Sequence, residues 1–189
     1  MKVIAFNRHP GFPVRIPPEV EIIVDSATVS AGRPVFLPDF SDGWVARLYP
    51  AFRISRLGKD IGEKFAARYF DSFTIALRLV PVALEKSLAA AGAPSGVLGL
   101  YDYCLALGEW MPVPDSGEAL RVECGGLSVD IAPTEMRVEE AVSAVSRYAT
   151  LKIGDVVLPC ALPDMVSVKA GDDISVKVAG ESLPPFRIR

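Results

Sequence analysis

The chain has few of the residues from which zinc sites and nucleophile-plus-base pairs are built. It contains one histidine, His9, and three cysteines, Cys104, Cys124 and Cys160, among 189 residues. A single histidine argues against a Cys/His zinc site and against most Ser-His or Cys-His arrangements. Because His9 stands in the turn-like run Asn-Arg-His-Pro-Gly, we interpret it as an exposed loop residue.

The cysteines are odd in number and far apart, so they do not predict a disulfide framework and they fit a reducing compartment. Cys160 lies in the apolar run Leu-Pro-Cys-Ala-Leu, which predicts a buried, unreactive thiol. Long apolar runs are also missing. The N-terminus has too short an apolar run for a signal peptide, and no stretch approaches the roughly 18 apolar residues of a spanning helix. We therefore expect a cytoplasmic protein with no membrane partner.

Positive charge is in the minority. The chain has 20 Lys and Arg against 23 Asp and Glu, a net charge of −3 and a pI near 5.3. Nucleic acids and acidic membranes are bound through basic patches that release counterions, so neither is expected as a partner. Apolar residues make up 50% and charged residues 23% of the chain, which is ordinary for a folded protein. The length and the lack of repeats predict a single domain over residues 1–189.

One stretch, 44–59, alternates polar and apolar residues ahead of a turn. With the two-residue period of a strand, one face is apolar throughout and is predicted to be core. The opposite face carries Arg47, Tyr49 and Arg53, which are unusual in so hydrophobic a chain. This polar face is either a site or a solvated surface. The apolar face consists of Ala46, Leu48, Pro50, Phe52 and Ile54.

Short strands outnumber helices in the rest of the pattern, and most neighbouring elements are linked by short turns. This indicates an α+β fold with mixed or antiparallel sheets. Four prolines between Pro10 and Pro18 predict that the N-terminal segment 1–19 is irregular after its first strand. Strands are predicted at 2–6, 20–24, 35–37, 72–80, 97–107, 119–124, 127–131, 155–158, 165–169, 174–178 and 186–189, and helices at 61–69, 81–92 and 134–148.

Several local sequences, taken in this order, resemble the fumarylacetoacetate hydrolase family. The resemblance covers most of the chain and is weakest before Val20. It implies mixed β-sheets rolled around a core, with a few flanking helices. The matching pieces are GRPVFLPDFS (32–41), RLGK (56–59), FAARYFD (65–71), GAP (92–94), YD (101–102), SRYATLKIGD (146–155), AGD (170–172) and FRIR (186–189).

The resemblance also implies which residues would hold the family's divalent cation, usually magnesium or calcium. Members use two glutamates one residue apart on a strand and an aspartate on a neighbouring strand. Those positions fall on Arg47, Tyr49 and Arg78 in this sequence. The family's lysine falls on Gly99, and its Gly-Thr-Pro loop falls on 160–162, Cys-Ala-Leu. Because every carboxylate ligand is replaced, we expect the metal site to be lost and no cofactor to be bound.

Two interpretations of the arginines stay open. In one, Arg47 and Arg78 are structural and pair with carboxylates such as Asp102 or Asp130, since an unpaired buried charge is costly. In the other, Arg47, Tyr49 and Arg78 line a cation-free pocket for an anionic small molecule, because guanidinium groups suit carboxylate and phosphate.

The resemblance thus implies a catalytically degenerate relative, a pseudoenzyme with a binding or scaffold role, which as in much of the family forms a homodimer. One alternative is an active hydrolase, decarboxylase or isomerase of 2-oxo or β-dicarbonyl acids that uses a displaced metal site or none. Another is an interactive subunit that pairs with an active paralogue.

Overall fold

The computed structural model describes residues 1–114, 119–124, 126–162 and 165–189, and β-strands dominate them. The helices are α1 (Glu63–Ala66), α2 (Val82–Ala91), α3 (Pro133–Met136) and α4 (Val138–Ser146). The strands are β1 (Lys2–Phe6), β2 (Val20–Val24), β3 (Thr28–Val29), β4 (Trp44–Ile54), β5 (Phe70–Pro81), β6 (Leu105–Leu107), β7 (Met111–Pro112), β8 (Leu120–Cys124), β9 (Leu127–Ile131), β10 (Val156–Leu158), β11 (Met165–Val168), β12 (Asp173–Ile174), β13 (Val176–Val178), β14 (Glu181–Ser182) and β15 (Phe186–Arg187).

The largest sheet is mixed. Its strands run in the order β2–β1–β10–β4–β5–β6–β3, with β11 also paired to β4 and β7 to β5. The β1–β10 and β3–β6 pairs are parallel, whereas the others in this sheet are antiparallel. A second sheet has the order β14–β13–β8–β9, and β12 pairs with β15. The predicted α+β class with mixed sheets is confirmed.

The centre of the large sheet is the antiparallel pair β4–β5, which is in register from Trp44 opposite Pro81 to Arg53 opposite Ser72. The apolar face that the alternation predicted for β4 is core: Leu48, Phe52 and Ile54 are 4% exposed or less. Pro50 causes no break because it is also buried within this long pair. Two-residue periodicity therefore identified a core face correctly, and the opposite face of β4 is buried as well at Tyr49 and Ala51.

The prediction of a strand at 35–37 is wrong. Val35 forms only an isolated bridge to Ile188, and the strand in this region is β3, earlier in the chain. Pro34 and Pro38 flank the three residues, and neither can donate a ladder hydrogen bond. The pairing partner is the C-terminal segment, where the Arg187 carbonyl accepts from the Val35 N–H at 2.8 Å.

Three other predicted elements are shorter than expected or interrupted. The strand predicted at 97–107 begins with a 3-10 turn, Gly96–Gly99, and only β6 at its end is extended. The helix predicted at 134–148 is interrupted at Arg137, whose φ of +49° ends α3 before α4 begins. The helix predicted at 61–69 is α1 followed by a 3-10 turn, Ala67–Tyr69.

The strand predicted at 174–178 is two short strands, β12 and β13, which belong to different sheets. The remaining strand and helix predictions agree closely with the structure. Strands β1 and β2 have the predicted bounds, and α2 ends as expected at Gly92, whose φ is +59°. The hairpin β8–β9 is antiparallel as predicted, although Gly125 of its turn lies outside the described residues. In the described part of the chain no helix has both the length and the apolar character needed to cross a membrane.

Candidate functional site

The three residues of the candidate site lie on one face of the β4–β5 pair. Arg47 is directly opposite Arg78, and Tyr49 is opposite Ala76, two residues further along the same face. The structure thus brings together the three side chains that the sequence placed there. Two guanidinium groups on facing positions repel each other unless carboxylates neutralise them.

Arg78 is neutralised inside the protein. Its residue is 3% exposed, and its guanidinium forms an ion pair with Glu21 of β2. Nη2 also donates to the carbonyl of Leu98 at 3.2 Å, while Nε has no hydrogen-bond partner in the described part of the chain. Burial alone would lower the pKa of Arg78, but Tyr49 and Glu21 outweigh it and raise the pKa above its ordinary value. The side chain is therefore a permanently charged, buried cation.

Arg47 has a looser partner. Its Nη1 and Nη2 donate to Oε1 and Oε2 of Glu85 at 3.2 and 3.4 Å, in the fork geometry that suits a carboxylate. The two side chains keep 17% and 33% of their exposure, so this pair reaches solvent. Burial alone would lower the pKa of Arg47, yet Tyr49 and Glu85 raise it.

Tyr49 lies next to Arg47 on the same face of β4 and is buried. It is 1% exposed and packs in a cluster of small and branched residues that includes Ala51, Ala76 and Cys104. A hydrogen bond between its side chain and Arg47 contributes to the raised pKa of that arginine. The aromatic ring therefore packs in the core, while the hydroxyl forms a hydrogen bond with Arg47.

A close backbone contact covers this face. Gly99 packs against β2 so tightly that a Cβ at this position would lie 2.2 Å from the Ile22 carbonyl oxygen. The contact holds Leu98 and Glu21 in the positions where both reach Arg78. Because the resemblance placed a lysine at position 99, this turn has no room for that side chain without a backbone movement.

The carboxylates that pair with the arginines were not those proposed from the sequence. Asp130 instead pairs with Arg121 at 2.8 Å on the surface, and Asp102 is exposed. Glu21 did carry a signal, since it is the only charge in the strand Val-Glu-Ile-Ile-Val. Glu85 had none, because an exposed helix commonly carries such a residue.

These residues do not fit a divalent cation. Magnesium, calcium and manganese need anionic or neutral oxygen ligands, and the facing positions supply two guanidinium groups instead. Across the described residues, no group of three or more His, Cys, Asp or Glu side chains is arranged to hold a metal ion. The donor set therefore supports no metal-dependent step at this face.

The lesser candidates are as predicted. His9 is exposed and lies at the rim of a cavity of about 290 Å³ beside Arg8 and Phe12. Cys160 is fully buried, and burial raises the pKa of its thiol to about 12 although Arg8 acts in the opposite direction. A group with so little thiolate at neutral pH is a poor nucleophile.

No protein-family model and no curated protein matches the sequence. Solved structures do match. A protein from Yersinia pestis, provisionally assigned to the fumarylacetoacetate hydrolase family, is 22% identical, with a TM-score of 0.85 over 100% of this chain and 92% of that one. The fumarylpyruvate hydrolase of Pseudomonas aeruginosa, in complex with Mn²⁺ and pyruvate, is 20% identical, with a TM-score of 0.83 over 100% and 89%.

A third relative is an isomerase. The 5-carboxymethyl-2-hydroxymuconate delta-isomerase of Mycobacterium smegmatis is 21% identical, with a TM-score of 0.82 over 99% of this chain and 78% of that one. At these identities the likeness concerns the fold, which hydrolases and isomerases share. The resemblance drawn from the sequence is confirmed at this level: the chain has the fumarylacetoacetate hydrolase fold.

Proposed function

We propose that this chain is a catalytically degenerate protein of the fumarylacetoacetate hydrolase fold, with a binding or scaffold role in place of metal-dependent catalysis. One observation carries the proposal. Arg47 and Arg78 face each other on β4 and β5, and internal carboxylates of Glu85 and Glu21 neutralise them. Carboxylates that would otherwise attract a cation are thus used within the protein.

Electrostatics supports this reading over an enzyme with a weakened metal site. A divalent cation placed between β4 and β5 would meet two positive groups, and the repulsion is strong in a poorly solvated setting. Glu21 could bind such a cation only if its buried ion pair with Arg78 were broken. That would leave the charge of Arg78 buried and without compensation. The two carboxylates therefore balance the charge of the arginines without a metal.

The test compares this chain with an enzyme of the same fold. The purified protein is assayed with fumarylpyruvate and related 2-oxo acids in the presence of Mn²⁺ or Mg²⁺, and its thermal unfolding is measured with and without each metal. The Pseudomonas aeruginosa fumarylpyruvate hydrolase is the positive control. We expect no metal-dependent turnover and no metal-dependent stabilisation. Metal-dependent turnover would overturn the proposal and favour an active hydrolase or isomerase.

The part of this face that can bind a ligand is Arg47, and the ligand that suits it is an anion. The Arg47–Glu85 pair is partly exposed and has hydrogen bonds of 3.2 and 3.4 Å, so a soluble carboxylate can compete with Glu85. Arg78 and Tyr49 lie beneath it and are too buried for direct exchange. Arg47 would thus contact the ligand directly, while the buried Tyr49 and Arg78 would hold it in position.

Thermal shift with pyruvate, oxaloacetate and phosphate tests the anion. Glu85→Gln removes the internal competitor and should strengthen stabilisation by the ligand, whereas Arg47→Gln should abolish it. Glu181→Gln is the matched control, since Glu181 is exposed and lies away from this face. If no anion stabilises the Glu85→Gln protein more than the control, the anion site is rejected and the scaffold role remains.

The homodimer and the pairing with an active paralogue stay predictions. Light scattering on the purified chain measures its mass in solution, and co-purification from the native cell identifies a paralogue. A monomer that co-purifies with no related enzyme would contradict both.

A further inference from the structure

A charged cavity lies at the other end of β4 from the arginine pair, in the turn that leads to α1. Its volume is about 390 Å³. The stretch of β4 from Arg47 to Ile54, at about 3.3 Å per residue, separates it from the arginine pair by roughly 23 Å. The lining residues are Arg56, Leu57, Lys59, Asp60, Ile61, Gly62, Phe65, Arg68 and Tyr69.

The cavity is rich in uncompensated positive charge. Arg56, Lys59 and Arg68 line it against a single carboxylate, Asp60, in a protein whose net charge is −3. Within the part of the chain that the structure describes, none of these four residues takes part in an ion pair. All four are exposed. Their charges are therefore available to a ligand, in contrast to the neutralised Arg78.

Apolar surface lies beside these charges. Ile61 is buried in the cavity wall, and the ring of Phe65 is 42% exposed. The guanidinium of Arg68 lies over that ring, 5.3 Å from its centroid, which places a cation next to an aromatic face. Tyr69 adds a second, half-buried ring. A ligand with both an anionic and an apolar part would match this wall.

The turn that carries the cations is fixed before any ligand arrives. Gly58 and Leu151 exchange two backbone hydrogen bonds of 3.0 and 2.8 Å. The Ile61 N–H donates to the hydroxyl of Ser146 at 2.9 Å, and the Asp60 N–H donates to the carbonyl of the same serine at 3.0 Å. A Cβ on residue 58 would stand 2.4 Å from the Tyr69 ring, so glycine allows the turn to close on that ring. Such preorganisation lowers the entropic cost of binding.

We propose that this cavity binds a phosphate ester that carries an aromatic group. Two guanidinium groups and one ammonium group suit a doubly charged phosphate, for which arginine provides paired donors. The exposed ring of Phe65 and the half-buried ring of Tyr69 provide a surface for an aromatic group. The volume accommodates a molecule of the size of a nucleoside monophosphate. This site is independent of the function proposed for the arginine pair.

Calorimetric titration of the full chain at low salt tests the site, with adenosine monophosphate, adenosine and inorganic phosphate as probes. We expect the nucleotide to bind at least about fivefold more tightly than either fragment, since both parts of the cavity contribute. The double variant Arg56→Gln/Arg68→Gln should weaken nucleotide binding about tenfold or more. The control Lys86→Gln/Lys169→Gln removes two exposed charges elsewhere and should change affinity less than about twofold.

Three results would overturn the proposal: no saturable binding of the nucleotide up to about 5 mM, no preference for it over phosphate, or an equal loss in the control. Circular dichroism checks that the double variant is folded. If it is not, Lys59→Gln replaces it, because this exposed side chain makes no ion pair within the described residues.

Discussion

The Cα of Gly99 lies so near the Ile22 carbonyl oxygen that a Cβ at residue 99 would stand 2.2 Å from that oxygen, which is backbone and cannot rotate away. Gly96 begins the same 3-10 turn, and nothing lies within 4 Å of the equivalent point there. A side chain at residue 99 would therefore clash with the backbone, whereas one at residue 96 would meet no neighbour, and the two positions can be compared directly.

We predict that Gly99→Ala destabilises the protein by about 2 kcal/mol or more, because β2 must move away from the turn. Gly96→Ala should lie within about 0.5 kcal/mol of the wild type or stabilise it slightly. Urea denaturation measures both. Equal stability of the two variants would show that β2 and the turn separate easily.

Loss of the buried carboxylate should cost far more than loss of the exposed one. Glu21→Gln leaves Arg78 charged and without its partner, and we expect a loss of about 3 kcal/mol in the free energy of unfolding. Glu85→Gln should cost less than about 1 kcal/mol, since its pair with Arg47 reaches solvent. Denaturation curves for both variants, measured at neutral pH, give the comparison.

Replacing the whole buried pair should restore stability. In Glu21→Leu/Arg78→Met both charges are removed and the volume is largely kept, so we expect the double variant to recover most of what Glu21→Gln loses. A double variant as unstable as Glu21→Gln would indicate that the hydrogen bond from Arg78 to Leu98 matters more than the charge pair.

Asp155 should make the fold sensitive to acid. Burial alone would raise the pKa of Asp155, but hydrogen bonds from the Lys2 side chain and from the backbone of Lys152 and Lys2 hold it below its usual value. The stabilisation is present above the unfolded pKa of about 3.9 and is lost as the pH falls through the lower folded pKa. Asp155→Asn should cost about 2 kcal/mol at pH 7 and nearly nothing at the acid end.

The control for that variant is Asp130→Asn, since the carboxylate of Asp130 forms an exposed surface pair with Arg121. Its stability should follow the wild type across the pH range. If Asp155→Asn differs from the wild type by the same amount at pH 3 and pH 7, the hydrogen bonds to the ionised carboxylate are not the cause.

All three thiols should be unreactive toward thiol reagents in the native state. Cys104, Cys124 and Cys160 are buried and free, and burial raises the pKa of each, to about 12 for Cys160. A thiol-reactive chromophore at pH 8 should label none of them within minutes, and all three after unfolding in guanidinium chloride. Rapid labelling of one native thiol would reveal local opening at that position.

The sequence was sufficient for the parts of the fold that depend on local pattern. Alternation in 44–54 gave the apolar core face of β4, and the register places Arg47 opposite Arg78. Gly92 gave the end of α2. For β4 and α2 the signal comes from residues within a few positions of one another, whereas Arg47 and Arg78 were expected together only from the resemblance to the fumarylacetoacetate hydrolase family.

The parts that were missed depend on distant pairing. The local pattern predicts a strand at 35–37, but Val35 forms only a single-residue bridge, and its partner is the distant Ile188. Glu21 and Glu85 reach the arginines from β2 and α2, whose positions over the sheet are set by tertiary packing. A single sequence shows which residues need partners and not which distant side chains supply them.

The position of β1 has a consequence for the order of folding. This strand lies between β2 and β10, and the Lys2 N–H donates at 2.8 Å to Asp155, 153 residues later in the chain. A nascent chain can pair β1 with β2 early, but the other edge of β1 stays open until the segment with β10 leaves the ribosome. The large sheet is therefore completed late in synthesis, because β1 gains its second neighbour only when β10 has been made.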